Sequence, residues 1–121
     1  MKTLKGLTVL ISLVLVLAAC SSNSSNSSST TDGAKKMQDT LTEMQKNVEA
    51  NDAAKAAKNA EELESSWEKF EDDVKANQAD VYGKVEDPLG AIQTGVKEIP
   101  LDQAVLKEQI VKLNDALKEI K

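Results

Sequence analysis

Four glutamates, Glu61, Glu64, Glu68 and Glu71, recur at intervals of three, four and three residues, a spacing that puts side chains on one face of an α-helix. Carboxylates are hard oxygen donors, and a row of them on one helix face could coordinate ferric iron, calcium or magnesium. Glu71 is followed four residues on by Lys75, the spacing of a local ion pair, whereas Glu61, Glu64 and Glu68 have no such lysine. The other reading of the row is a solvated acidic face that keeps the domain soluble. Trp67, Phe70 and Tyr82, the only aromatic residues, surround the same stretch. They read either as a ligand pocket or as core, with the indole N–H and phenol O–H reaching solvent.

Other reactive side chains are scarce. The chain has no histidine and no arginine, and Cys20 is its single cysteine. Without imidazole no Ser-His-Asp arrangement can be assembled, and without a free thiol there is no thiolate nucleophile. The serines crowd into residues 21–29, where nothing holds a base beside them, and no glycine-rich phosphate loop is present. Paired carboxylates for glycoside hydrolysis would need a cleft, and three aromatics offer little surface for stacking sugars. The residue inventory therefore points away from an enzyme.

The first twenty residues have the three parts of an export signal: a basic start with Lys2 and Lys5, an apolar stretch from Leu7 to Leu17, and small residues Ala18 and Ala19. That stretch is too short for a membrane span, which needs about 20 apolar residues. It ends on "LVLAAC", Leu15 to Cys20, and Leu17, Ala18, Ala19 and Cys20 resemble the lipobox of bacterial lipoproteins. The resemblance implies that the Cys20 thiol takes a diacylglyceryl group and that residues 1–19 are cut away, leaving Cys20, further acylated with a palmitate-type chain, as the mature N-terminus. Two acyl chains anchor stably where one binds marginally, so the expected location is the extracytoplasmic face of the cell membrane. An ordinary secretory signal with a cysteine near the cut is the alternative, and it would leave a free thiol in an exported chain.

Residues 21–31 are only Ser, Asn and Thr. They cannot bury enough apolar surface to offset the entropy of ordering them, so residues 20–31 are expected to form a flexible tether reaching roughly 18 Å. Cutting before Cys20 removes two lysines and no acid, leaving 13 lysines against 20 carboxylates, a net charge of −7. A nucleic-acid partner is excluded on that balance, since phosphate binding needs clustered cations. Anionic lipid heads should likewise repel the domain, so that attachment falls to the lipid on Cys20.

Residues 32–121 suffice for one small domain and one core. Ala, Lys, Glu and Leu are abundant while Pro and aromatics are few, a composition that favours helices. Met37, Leu41, Met44 and Val48 predict a first helix from near Asp32 to Ala50, with Asn51 in a left-handed exit and Asp52 capping the next. Ala53, Ala56, Ala60, Leu63, Trp67, Phe70 and Val74 form a heptad seam on a second helix. Asp80 is placed to cap a third helix carrying Val81, Val85, Leu89, Ile92, Val96 and Ile99, kinked or restarted at Asp87 and Pro88. Pro100 ends it, and Asp102 caps a last helix with Leu106, Ile110, Leu113, Leu117 and Ile120 on one face, Leu101 meeting Leu106 as a staple. The expected fold is all-α, an antiparallel up-and-down four-helix bundle; a three-helix bundle with a detached first helix is the alternative.

The stretch "NDAAKAAKNAEELESSWEKFEDDVKANQADVYGKVEDPLGAIQ", Asn51 to Gln93, resembles the helical extracytoplasmic segments that accompany bacterial high-affinity iron permeases and their lipoprotein partners. The shared cues are the Ala-rich helix, Trp67 three before Phe70, Glu71, Tyr82, Leu89 and Gly90. The resemblance implies a part in iron uptake at the outer face of the membrane, with an iron permease or another envelope protein as partner. Imelysin-type iron-uptake lipoproteins use a histidine-containing motif that this chain lacks. What the resemblance implies here is therefore an acidic cation-handling or partner-docking face at Glu64, Trp67, Glu68 and Glu71. Two functions are expected on these grounds: a non-catalytic accessory module for uptake of iron or another hard cation, or a cell-envelope interaction lipoprotein with no metal role.

Overall fold

The computed structural model describes residues 22–121, so Cys20 and the signal segment lie outside the described residues. Five α-helices, and no strands, make up the described chain: α1 Ser22–Glu49, α2 Ala53–Trp67, α3 Glu71–Asn77, α4 Ala79–Gly95 and α5 Gln103–Lys118. The all-α expectation holds. No helix among the described residues is long and apolar enough to cross a membrane.

α1 buries Ala34, Met37, Leu41, Met44 and Val48, the stripe that the three-and-four spacing demands. It starts at Ser22 rather than near Asp32, so residues 22–31, expected as tether, are helical. Extending an existing helix requires no new nucleus, and Thr30 is buried with its hydroxyl donating to the Lys121 carbonyl at 3.3 Å. The exit closes as a Schellman motif: Asn51 sits at φ 53°, Asn51 N–H donates to Val48 O and Asp52 N–H to Asn47 O, each at 2.9 Å. Asp52 then accepts from Lys55 N–H at 3.1 Å and caps α2.

The second helix does not run unbroken through Val74 as its seam predicts. α2 ends at Trp67, a turn comes next, and Phe70 leaves helical geometry at φ −138°, ψ 2° before α3 begins. The reason lies in packing. Phe70 turns its ring onto α1 at Gly33, where any side chain would collide with it, and meets Trp67 edge-to-face at 5.2 Å and 86°. A continuous helix would forfeit that arrangement.

α4 also departs from expectation at three points. Asp80 lies in the first turn rather than at the cap, a position held by Gln78, whose side chain makes no capping hydrogen bond to α4; the Asp80 carboxylate still complements the helix dipole. Asp87 starts no new helix, because α4 is continuous through Pro88. Proline leaves the Lys84 carbonyl without its usual donor, but Pro88 is buried on the same face as Val85, Leu89 and Ile92, and that packing offsets the loss. The helix ends at Gly95, short of Ile99, where a side chain would come within 2.8 Å of Leu106. After a cis Ile99–Pro100 bond, Asp102 caps α5 by accepting from Val105 N–H at 3.1 Å.

α1 packs on α2 and α5, and α4 packs on α5, α3 and α2. One core results, with Leu63 and Trp67 of α2 and Leu106, Leu113 and Leu117 of α5 no more than 1 % exposed. Polar links join the same elements. Asn47 bonds Asn59 at 2.7 Å, Lys84 pairs with Glu119 at 2.7 Å, Lys107 pairs with Glu49 at 3.4 Å, and Gln78 exchanges two hydrogen bonds with the Lys121 backbone.

Two glycines give opposite expectations. Gly33→Ala should destabilise the full chain by about 1–3 kcal/mol, since the Phe70 ring must move. Gly90→Ala, in mid-helix with open space where its side chain would go, should stabilise by roughly 0.5–1 kcal/mol. Thermal melts followed by circular dichroism compare them, and equal effects would contradict the packing of Phe70 on α1.

Candidate functional site

α2 turns its buried face, Ala56, Ala60, Leu63 and Trp67, into the core, which sets Glu64 half-buried and Glu61 and Glu68 exposed beside it. The break after Trp67 leaves Glu61 and Glu64 on α2, Glu68 at its C-cap and Glu71 on α3. The sequence spacing of three, four and three therefore does not run along one continuous face.

A residue that the sequence pattern missed joins them. Trp67 Nε1 donates to Glu86 Oε1 of α4 at 2.5 Å, and Gln93 of α4 donates to the Glu64 carboxylate. The available signal was chemical, because a buried indole N–H requires an acceptor and a facing helix rich in acids can supply one.

The electrostatics of this seam are repulsive. Burial pushes the Glu64 carboxyl above its ordinary range, and the negative charges of Glu68, Glu86 and Glu71 push it further. Burial likewise raises Glu71, followed by Glu86, Asp72 and Glu68, with Lys75 acting in the opposite direction. Glu64, Glu68, Glu71 and Glu86 thus share one field. Among the described residues no group of three or more acidic side chains is placed to hold a metal ion. The row is a charged ridge rather than a ready coordination cage, and two of its carboxylates already accept protein hydrogen bonds.

The aromatic trio is mostly core. Trp67 and Phe70 are 1 % and 3 % exposed, Tyr82 is half-buried with its ring 5.8 Å from Trp67, and the Lys75 ammonium lies 5.3 Å over Tyr82, a cation–π distance. Of the two readings of these residues, core packing is the one that the burial of Trp67 and Phe70 matches. Open space lies elsewhere. Between α2 and the end of α4 a groove of about 670 Å³ has Ala57, Ala60 and Val96 as its apolar lining and Glu61, Glu64, Ser65, Gln93 and Lys97 as its polar lining. Between α1 and α2 a second groove of about 440 Å³ holds Lys36, Lys58 and Lys69 against Glu61 and Glu62.

The raised Glu64 carboxyl has a signed consequence. Its proton is held more tightly in the folded state, so its contribution to stability is fully present below the ordinary carboxylate range and is lost as pH rises through the raised folded value. Glu64→Gln keeps an acceptor for Gln93 without the charge. At neutral pH it should stabilise by up to about 0.5 kcal/mol, and the gap from wild type should close on acidification toward the carboxylate range. Paired melts across that window check this, and a gap that widens would refute the burial and repulsion assigned to Glu64.

Comparison with known protein families, curated proteins and solved structures finds no match to this chain, so its functional reading rests on residues and geometry.

Proposed function

We propose that this chain is a bacterial surface lipoprotein, held on the outer face of the cell membrane by acyl chains on Cys20, whose helical domain is a non-catalytic binding and accessory module for cation uptake, iron first. The lipid anchor is supported by residues 1–20, where basic start, apolar stretch, small residues and cysteine occur in order. Labelled fatty acid fed to expressing cells should enter the wild-type protein and not Cys20→Ala. Label in both would remove the anchor.

In this reading α2 and α3 together form one arm of an antiparallel up-and-down four-helix bundle, and α4 bends at Pro88. Pairing at the helix ends supports that order: Thr30 meets Lys121 while Glu49 meets Lys107, which opposes α1 to α5. Lys84 near the start of α4 meets Glu119 at the end of α5.

The observation that carries the reading is the ridge of Glu64, Glu68, Glu71 and Glu86, whose mutual repulsion Lys75 offsets in part at the Glu71 end and a cation or a basic partner would relieve further. A second reading, an envelope interaction module with no metal role, is favoured by one finding, that no coordinating group of three acids is formed among the described residues.

Calorimetry on the full chain in detergent, with ferric citrate, ferrous iron, calcium and magnesium, separates the two. Cation binding predicts saturable heat, loss of that heat in the Glu64, Glu68 and Glu71 triple Gln variant, and about 2.7 kcal/mol of added stability at a ligand concentration of about 100 Kd. No heat with any ion removes the cation role and leaves docking.

A further inference from the structure

The α2–α4 groove combines two properties that a merely solvated acidic surface does not. Its floor is small and apolar, with Ala57 half-buried and Ala60 and Val96 only 3 % and 7 % exposed beneath it, and its rim carries Glu61 and Glu64. Glu68, Glu71 and Glu86 continue the negative charge along the same seam, with Lys97 and Lys75 beside them and Lys36, Lys58 and Lys69 in the neighbouring groove on the other side of Glu61.

We propose that this seam is the docking groove for a basic amphipathic α-helix of a partner protein, its apolar stripe on Ala57, Ala60 and Val96 and its lysines or arginines on Glu61, Glu64 and Glu68. The inference deepens the reading of the chain as a binding module and needs no metal.

Shape, spacing and charge select this occupant. A trough between two helices is where a third helix packs, and alanines let its backbone come close. Carboxylates at intervals of three and four along α2 match cations at helical spacing on the incoming segment. Charge complementarity then fixes sign: a basic helix relieves the repulsion along the seam, while an acidic one would add to it.

The test uses the full chain in phosphatidylcholine nanodiscs, with empty discs as blank, and a fluorescent lysine/leucine helical peptide of about 18 residues, five turns long. A glutamate/leucine peptide is the control. Saturable anisotropy with the basic peptide alone is expected, weakening with added salt as charge pairing requires. Affinity should fall at least about tenfold in Glu61→Gln/Glu64→Gln/Glu68→Gln. Ala57→Leu, which fills the groove at a half-buried position, should weaken it comparably while leaving the carboxylates intact. Equal binding of both peptides, no binding, or binding indifferent to both variants, each of them folded by circular dichroism, would overturn the proposal. A chain that binds the peptide but no metal keeps this inference and loses the cation role; one that binds ferric citrate and not the peptide does the reverse.

Discussion

A buried indole N–H must find an acceptor, and much of this molecule depends on where Trp67 finds one. The only tryptophan of the chain is 1 % exposed, and its donor reaches Glu86 on α4. That bond ties α2 to α4 at one height and one rotation. Next to it Phe70 leaves helical geometry, meets the indole edge-to-face and lays its ring on α1, which has a glycine where that ring arrives. The satisfied donor, the helix break and the residue type at position 33 thus belong to one packed cluster.

The same bond has an electrostatic consequence. By holding Glu86 against α2 it brings a fourth carboxylate into the field of Glu64, Glu68 and Glu71, adding like charge to the burial that is the main cause of the rise at Glu64 and Glu71. Apolar packing around Trp67, worth about 3–5 kcal/mol for a buried tryptophan against alanine, is large enough to hold such repulsion in place. Lys75 works against the rise at Glu71.

Helix faces and caps were legible in the sequence because each rests on local chemistry. Met37, Leu41, Met44 and Val48 had to share a face; Asn51 could take a left-handed exit; Asp52 and Asp102 could cap α2 and α5. The illegible parts depended on partners distant in the chain. Nothing near Phe70 announces Gly33, so a continuous heptad seam concealed a break. Pro88 signals a restart by local rules, yet burial beside Leu89 and Ile92 keeps α4 whole. The glutamate row was visible as spacing, while Glu86 and Gln93, which decide what the row does, become neighbours only through tertiary packing.

Position along the molecule bears on what the ridge can meet. Cys20 precedes the first residue of α1 by two positions, so on the proposed anchoring α1 leads away from the membrane. Phe70 packs at Gly33, eleven residues after Ser22, which at 1.5 Å per residue is up to about 17 Å along the helix. If α1 stands upright on the proposed anchor, that separation exceeds the roughly 8 Å over which charges interact at physiological salt, and Glu64, Glu68 and Glu71 would then act on what stands beside the domain rather than on headgroups beneath it. A neighbour that itself projects from the membrane would meet that geometry, and charge complementarity with the seam would make it basic there.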